Sequence, residues 1–582
     1  MPPLSDSAAP EAPRVRLAFT ALAAAVIAVF VVATHPFWVP AHPGDDQNAY
    51  LVSGKLLAAH FPPGLAVPDP YAFVGRMWIA APDGRYYSKY PLGLPALVAL
   101  ALRAFGPARG VGMAYWISPA AMALALAGLF LLIRLVAGSF AGLLGVIALA
   151  ASPAVLLLTN SPNSHAATLC AATWGMLALL SWWRRPSFPR AALAGLLLGA
   201  AVTFRYTEGL LLLPLALVAL FNLDRRSRRS LAQTAVLLVS WLILPALQLA
   251  YNLKVMHRLT AYDATHESTA FAWAHFARNG WTTVRQLGIM GLWALLPVAV
   301  LGLCALFARS WRLAAVMLAW LLPGTLLYTA YYYGAIENDG DGYIRFFLSV
   351  FPPLVLGAVW YLTRQDPEPG SGWQRLLRPL AALVVVLGSA AYCVHASLPM
   401  LRTDHRSRVA LERTARQVLA VAPAGSVIFG PQPELLHLQF AGDYRLYSRN
   451  VFARRAVEEL GTVDPRQPNT LQPRRALDLY ARLKDSTPAD LLRLQRELAV
   501  NALAAGRRVF VIAPSQPGPA AEWLRFADTL AQHPLASWDE PEPEPGSEDG
   551  YPEMTIADWR LVRREGRLVP RTGWQLVEVA QP

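Results

Sequence analysis

The sequence predicts an α-helical polytopic membrane protein with about eleven transmembrane helices and a C-terminal extracytoplasmic α/β domain. Three observations carry that expectation. Of the 582 residues, 55% are hydrophobic and only 15% are charged, and the mean hydropathy is +0.35, too apolar for a soluble chain of this length. The apolar residues fall in uninterrupted blocks of roughly 17–25, the length of a membrane-crossing helix. Beyond Leu398 the blocks stop, and polar stretches of helical period alternate with short β-like runs.

Residues 1–14, beginning MPPLSDSAAPEA, have no core-forming pattern and read as a disordered cytoplasmic tail. The transmembrane domain takes 15–399, with spans near 15–34, 113–135, 140–159, 165–183, 191–206, 207–223, 231–252, 284–308, 312–333, 344–363 and 379–398. The first span has no small-residue cleavage site before HPFWVP, so it reads as a retained helix. Arg-rich connections (RLVAGS, WWRRPSFPR, NLDRRSRRS, ARSWR and TRQDPEPGSGWQRLLR) alternate with TNSPNSH and YYGAIENDGDGY, which carry no Arg or Lys. Positive loops stay cytoplasmic. The N-terminus is therefore inside, and 35–112 is a long first outer loop with juxtamembrane helices. Within it PLGLPALVALALRAF, Pro91 to Phe105, is too short to cross and reads as an interfacial helix. Residues 400–582 form the outer α/β domain, with strands expected at GSVIFG, YRLYS, RRVFVIAP and WQLVEVA and an acidic low-complexity loop from Asp539 to Asp549.

The net charge of +13 is mainly an orientation signal. No basic–aromatic motif accompanies it, so nucleic acid is not an expected partner. There is no GxGxxG and no P-loop signature. Cys170, Cys304 and Cys393 all sit in apolar blocks, which argues against a disulfide framework or a Cys zinc site.

The polar residues that could carry chemistry all fall on the outer side. Asp45 and Asp46 follow the first span. Tyr86, Tyr87, Lys89 and Tyr90 precede the interfacial helix. Asn160, Asn163 and His165 lie between spans three and four, and Arg205 and Glu208 between spans five and six. His257, Tyr262, Asp263, His266 and Glu267 come next, then Glu337, Asp339, Asp341 and Arg345. Each has a bland reading. The aspartates suit a helix N-terminus, Lys89 could snorkel to headgroups, and Asn163 or His165 could cap the fourth span. Arg205 and Glu208, three apart, could simply pair, and Arg345 could anchor a span. The acidic turn at 337–341 lacks calcium-loop spacing, and the histidines lack HExxH spacing.

The order of parts resembles the GT-C superfamily of membrane glycosyltransferases, which includes protein O-mannosyltransferases, oligosaccharyltransferase catalytic subunits and the aminoarabinose transferase of lipid A. The resemblance covers roughly residues 15–365. It rests on HPGDDQNAY in a long outer loop, KYPLG before a helix, RLVAGSFAGLLGVIALAASP, the Gly-rich GLLLGAAVTFRYTEGLLLLP, and YIRFFLSVFPPL. It implies a sugar donor linked through phosphate to a polyprenol. The acceptor would be a glycan, lipid or protein at the outer face of the bilayer. Asp45 would be the general base and Asp46 an orienting group or metal contact, with the two roles exchangeable. Lys89, Arg345 and Arg205 would bind the donor phosphate, and Tyr87, Tyr90, Asn163, His165 and Glu208 would contact substrate. Transfer would invert the anomeric centre.

Two departures stand out. Many relatives carry a carboxylate in the second outer turn, where SPNSHAA offers His165 instead; a divalent metal is therefore not the favoured cofactor, since a hard cation wants several oxygen ligands. The Pro-Pro after the Lys of the aminoarabinose enzyme is Tyr90-Pro91 here. A secondary transporter would show inverted repeats and mid-membrane polar breaks, and none is seen in the sequence. A non-catalytic scaffold would tolerate loss of Asp45. The Arg-rich inner loops point to a bacterial inner membrane with a periplasmic C-terminal domain.

Overall fold

A computed structural model describes residues 11–223, 227–264, 267–336, 340–364, 372–464, 472–514, 522–538, 554–557, 560–563 and 574–581. The expected acidic loop Asp539–Asp549, together with His266, Glu337 and Asp339, lies outside them, as do residues 1–10 of the expected tail. The rest of that tail is held. Glu11 accepts hydrogen bonds from the Ser139 backbone N–H at 2.7 Å and from its hydroxyl at 2.5 Å. A carboxylate thus caps the helix Ser139–Ala150 at its positive end, and helix Pro13–Thr34 begins at once.

Among the described residues, nine helices are long and apolar enough to cross a membrane, or eleven if two sharply bent pairs count as one span each. The total agrees with the sequence reading, but its membership differs. The predicted span 140–159 is two helices, Ser139–Ala150 and Pro153–Thr159, bent by 66°. Pro153 has no N–H to continue the first helix. The predicted span 284–308 bends by 104° between Trp273–Leu292 and Leu295–Arg309, at Trp293 with φ 45°. Gly93–Tyr115 is long enough to count, yet Gly106 (φ 74°, ψ 167°) followed by Pro107 breaks it into two short helices. Its first part, about 20 Å long, covers the expected interfacial helix and is too short for a bilayer core. Phe188–Phe204 has 17 residues. It crosses Arg228–Met256 closely, because a Cβ on Gly195 would stand 2.3 Å from the Leu237 carbonyl oxygen and one on Gly199 2.4 Å from that of Trp241. Small residues four apart permit such backbone contact.

The sequence reading divides the chain at 399/400, but helix Gly372–Val421 runs across that boundary without interruption. It carries the chain directly into the outer domain. Strands β1 (Trp78–Ala80) and β2 (Tyr86–Ser88) form a hairpin in the first outer loop. The outer sheet contains β3 (Val427–Gly430), β4 (Arg445–Ser448), β5 (Val509–Pro514), β6 (Ala531–Trp538) and a final strand; β7 (Met554–Ala557) and β8 (Arg560–Arg563) pair separately, and β9 (Trp574–Ala580) completes the five. Its order is β4-β3-β5-β9-β6, with β3 parallel to both β4 and β5, and β9 antiparallel to β5 and β6. All four predicted runs are in it; β6, with Pro534 in it, gave no such signal.

Both faces of this sheet are covered, so its central strands read as continuous apolar runs. Phe429, Val509 and Val511 face one core with Trp523 and Phe526, while Ile428, Phe510 and Ile512 face the other with Val418 and Leu435. The first outer loop joins both cores. Ala72 packs into the first and Phe73 into the second, and the Phe73 N–H donates to the Leu446 carbonyl at 2.6 Å. The loop therefore holds the outer domain over the membrane helices.

Candidate active site

Helix Asp45–Ala59 follows Gly44, whose extended backbone starts it, and two carboxylates fill its first turn, where the helix dipole favours them. Successive residues on an α-helix point about 100° apart. Asp45, Asn48 and Lys55 share the face toward the outer domain. Asn48 donates to the Leu436 carbonyl and to Gln439 Oε1, each at 2.9 Å, and Lys55 pairs with Asp443 at 2.7 Å. Asp46 and Tyr50 share the face toward the membrane helices.

On that inner face Asp46 meets cations from three parts of the chain. The Tyr90 hydroxyl donates to Asp46 Oδ1 at 2.7 Å, and Arg345 Nη1 lies 3.3 Å from Oδ2. The charges of Lys89 and Arg205 also act on it. Arg205 is bonded to His165 and donates to the Tyr328 hydroxyl at 2.7 Å, with its guanidinium over the Tyr328 and Phe346 rings. Arg345 lies over Tyr333 and Phe346, and His165 also bonds the Arg345 backbone. Lys89 does not snorkel: its side chain is 4% exposed and its Nζ is 3.1 Å from Glu267 Oε2.

The two carboxylates are electrostatically distinct. Burial pushes Asp46 up, but Arg345 first, then Lys89, Tyr90 and Arg205, together hold it below the usual carboxylate value. Burial pushes Asp45 above its ordinary value, only partly opposed by the Arg76 backbone N–H and charge and by Gln432, with Asp46 adding to the rise. Burial and the Asp46 charge also hold the Tyr90 phenol protonated as a donor.

Of the residues singled out from sequence, Asp46, Lys89, Tyr90, His165, Arg205 and Arg345 come together, with Asp45 on the adjoining face. Glu208 is buried beside Arg205 and bonds Ser349. Asn163 occupies the N-cap of helix Ser164–Arg184 without a side-chain capping bond and donates at 2.9 Å to Ser161, which also accepts from Gln47; among the described residues it makes no hydrogen bond with Asp46 or its cations. Tyr87 is not brought in. In β2 it points its hydroxyl to Asp83 at 2.7 Å in the hairpin turn and packs on Tyr251 and Val255.

Glu267 was among the polar candidates without an assigned role, and Tyr50 and Gln432 went unread. Glu267 accepts from Lys89 and from the Tyr331 hydroxyl at 2.6 Å, yet no spacing ties it to either. Tyr50 stacks on Tyr90 at 4.4 Å and bonds Ser164 at 2.9 Å; its place four residues after Asp46 on a helix could have found it. Gln432 donates to Asp45 Oδ1 at 3.4 Å across 387 residues.

Among the described residues no three His, Cys, Asp or Glu side chains are grouped to hold a metal ion. The donor set around Asp46 does not fit a divalent cation, because its partners are Arg345, Lys89 and Arg205, and His165 is engaged by Arg205. The same arrangement fits an anion with several oxygens, which guanidinium and ammonium groups bind well.

Apolar helices, a long first loop with adjacent carboxylates beside three cations, and a C-terminal α/β domain are the parts of this architecture. Residues 89–248 match the family described as dolichyl-phosphate-mannose-protein mannosyltransferase. No curated protein sequence matches the chain. Among solved structures, arabinofuranosyltransferase AftD from mycobacteria is similar over 98% of this chain and 42% of its own, at 14% identity and a TM-score of 0.50. ArnT from Cupriavidus metallidurans, bound to undecaprenyl phosphate, is similar over 95% of this chain and 97% of its own, at 13% identity and a TM-score of 0.41. The apo oligosaccharyltransferase of Archaeoglobus fulgidus covers 90% of this chain and 73% of its own, at 12% identity and a TM-score of 0.46. The likeness to AftD shows a shared fold.

Proposed function

We propose that this protein transfers a sugar from a polyprenyl-phosphate-linked donor to a nucleophile at the outer face of a bacterial inner membrane. The observation that carries the reading is the division of labour across helix Asp45–Ala59: cations gather on the Asp46 face, while Asp45 looks outward with its proton affinity raised. The family match over 89–248 supports a lipid-phosphate donor. Separated proton affinities in a carboxylate pair mark separate roles.

The donor phosphate lies against Lys89, Arg205 and Arg345. The acceptor oxygen or nitrogen attacks the anomeric carbon and loses its proton to Asp45. The bond from that carbon to the phosphate oxygen breaks, and its electron pair leaves with polyprenyl phosphate. The three cations stabilise that leaving charge, so no general acid is required. Asp46, ionised throughout, keeps Arg345 oriented. Attack from the face opposite the leaving phosphate inverts the anomeric centre. The acceptor is a glycan, lipid or protein.

The test is donor turnover by the purified protein in lipid, with a panel of polyprenyl-phosphate sugars. Wild type should release polyprenyl phosphate, while folded Asp45→Asn and Lys89→Ala should not. Equal turnover by wild type and both variants would place the chemistry elsewhere, and absence of donor binding would favour a scaffold or transporter.

A further inference from the structure

We infer that Gln432, carried by the outer domain, is a positioning residue for Asp45, so that the outer domain completes the active site of the membrane domain. The inference rests on the reading of Asp45 as the base. Two donors reach Asp45, the Arg76 backbone N–H and Gln432 Nε2, and both fall on Oδ1, each at 3.4 Å. Contacts of this length are usual at catalytic groups before substrate arrives. With Oδ1 engaged, Oδ2 is the oxygen left to take the acceptor's proton.

Gln432 is held where it is by its own helix. It is the first residue of Gln432–Ala441, and the residues that dock that helix recur at helical spacing. Leu436 accepts from Asn48 at its carbonyl, Gln439 accepts from the same Asn48 at Oε1, and Phe440 is buried against Leu51, Trp78 and Tyr115. Asn48 is fully buried, and its Oδ1 accepts from Trp78 Nε1 at 3.1 Å, which fixes its amide orientation. Asp45 and Asn48 lie one turn apart on one helix, and Gln432 and Leu436 one turn apart on the other. The Asn48 contacts thus set the register that delivers Gln432 to Asp45. Removing the Gln432 amide would leave the Asp45 anion with one donor, in the field of Arg76 and against the charge of Asp46.

The experiment compares the pH dependence of kcat/KM in the full-length protein for wild type, Gln432→Met, Gln432→Glu and Asp45→Asn. Met keeps the side-chain length without the amide. The expected result for Gln432→Met is a kcat about tenfold lower, from loss of one positioned donor, an unchanged donor KM, and an acid limb moved to higher pH. Gln432→Glu should move that limb further, because a second carboxylate opposes ionisation of Asp45. Loss of folding alone would not shift a limb. If Asp45→Asn is inactive while both Gln432 limbs coincide with wild type, the inference about Gln432 is wrong. If Asp45→Asn stays active, the assignment of Asp45 itself fails, and this inference with it.

Discussion

The Tyr90 hydroxyl donates to Asp46 Oδ1 at 2.7 Å. The contact ties the loop that bears Lys89 to the helix that bears both carboxylates. It also sets Tyr90 against Tyr50, with ring centroids 4.4 Å apart. Tyr90→Phe would keep the stack and lose the bond. A hydrogen bond to a charged group contributes about 1.5–3 kcal/mol, so turnover should fall by roughly ten- to a hundredfold. Steady-state kinetics should place most of the loss in kcat, because in the proposed mechanism Asp46 orients Arg345 for the leaving charge.

The pH–rate profile follows from the split pair. As the proposed base, Asp45 must be ionised to accept a proton, and burial raises its proton affinity above the ordinary value of 3.8. The acid limb of kcat/KM should therefore lie above the usual carboxylate range, with activity falling as pH drops through it. Asp46 is held lower and should add no limb there. A limb at or below 3.8 would mean that Asp46, not Asp45, is the titrating base.

Stability should respond to Asp46 with a defined sign. Its folded-state proton affinity is lowered, so its contribution is present above the unfolded value near 3.8 and lost as pH falls through the folded one. Asp46→Asn should destabilise the protein at neutral pH, since Arg345, Lys89 and Arg205 would lose their shared counter-charge. The gap in thermal midpoint from wild type should narrow on acidification. A gap independent of pH would exclude this origin.

Glu267 holds Lys89 at 3.1 Å, where a donor phosphate would compete for the same ammonium. Glu267→Gln should release Lys89 for that phosphate. Polyprenyl phosphate should then bind more tightly, measured by tryptophan fluorescence or calorimetry. Weaker binding would assign Glu267 to the donor site itself.

The crossing of Phe188–Phe204 over Arg228–Met256 leaves no room at Gly195. Gly195→Val should cost about 1–3 kcal/mol by overpacking. It should also reduce activity, because the displaced helix ends at Arg205. Thermal unfolding in detergent gives the first quantity and donor turnover the second.

Much of the site could be read from the sequence because cost makes it visible. A Lys, an Arg or a carboxylate beside hydrocarbon is expensive, so Asp46, Lys89, Arg205 and Arg345 stood out at the ends of apolar blocks. Tyr87 stands two residues from Lys89 in the same motif, yet its hydroxyl turns to Asp83 while Lys89 meets Glu267. Neighbours in a short motif look equivalent in a string, and only the fold separates them. Glu267 sat among several polar residues of an outer segment, and only the fold brings it to Lys89. Gln432 was invisible, since an amide in a soluble domain costs nothing and carries no pattern.

The sequence by itself determined the membrane helices, the number of apolar blocks and four strands of the C-terminal sheet. These follow from periodicity, block length and charge, all local along the chain. The tertiary structure decided that the predicted spans at 140–159 and 284–308 bend, that helix Gly372–Val421 runs on into the outer domain, and that the first outer loop joins both of its cores. It also decided that Asp45 and Asp46 part company. Adjacent residues on a helix face different surroundings, and those surroundings here come from Tyr90, Arg345 and Gln432, as far as 387 residues away. Contacts across such separations leave no periodic trace in the sequence of either partner.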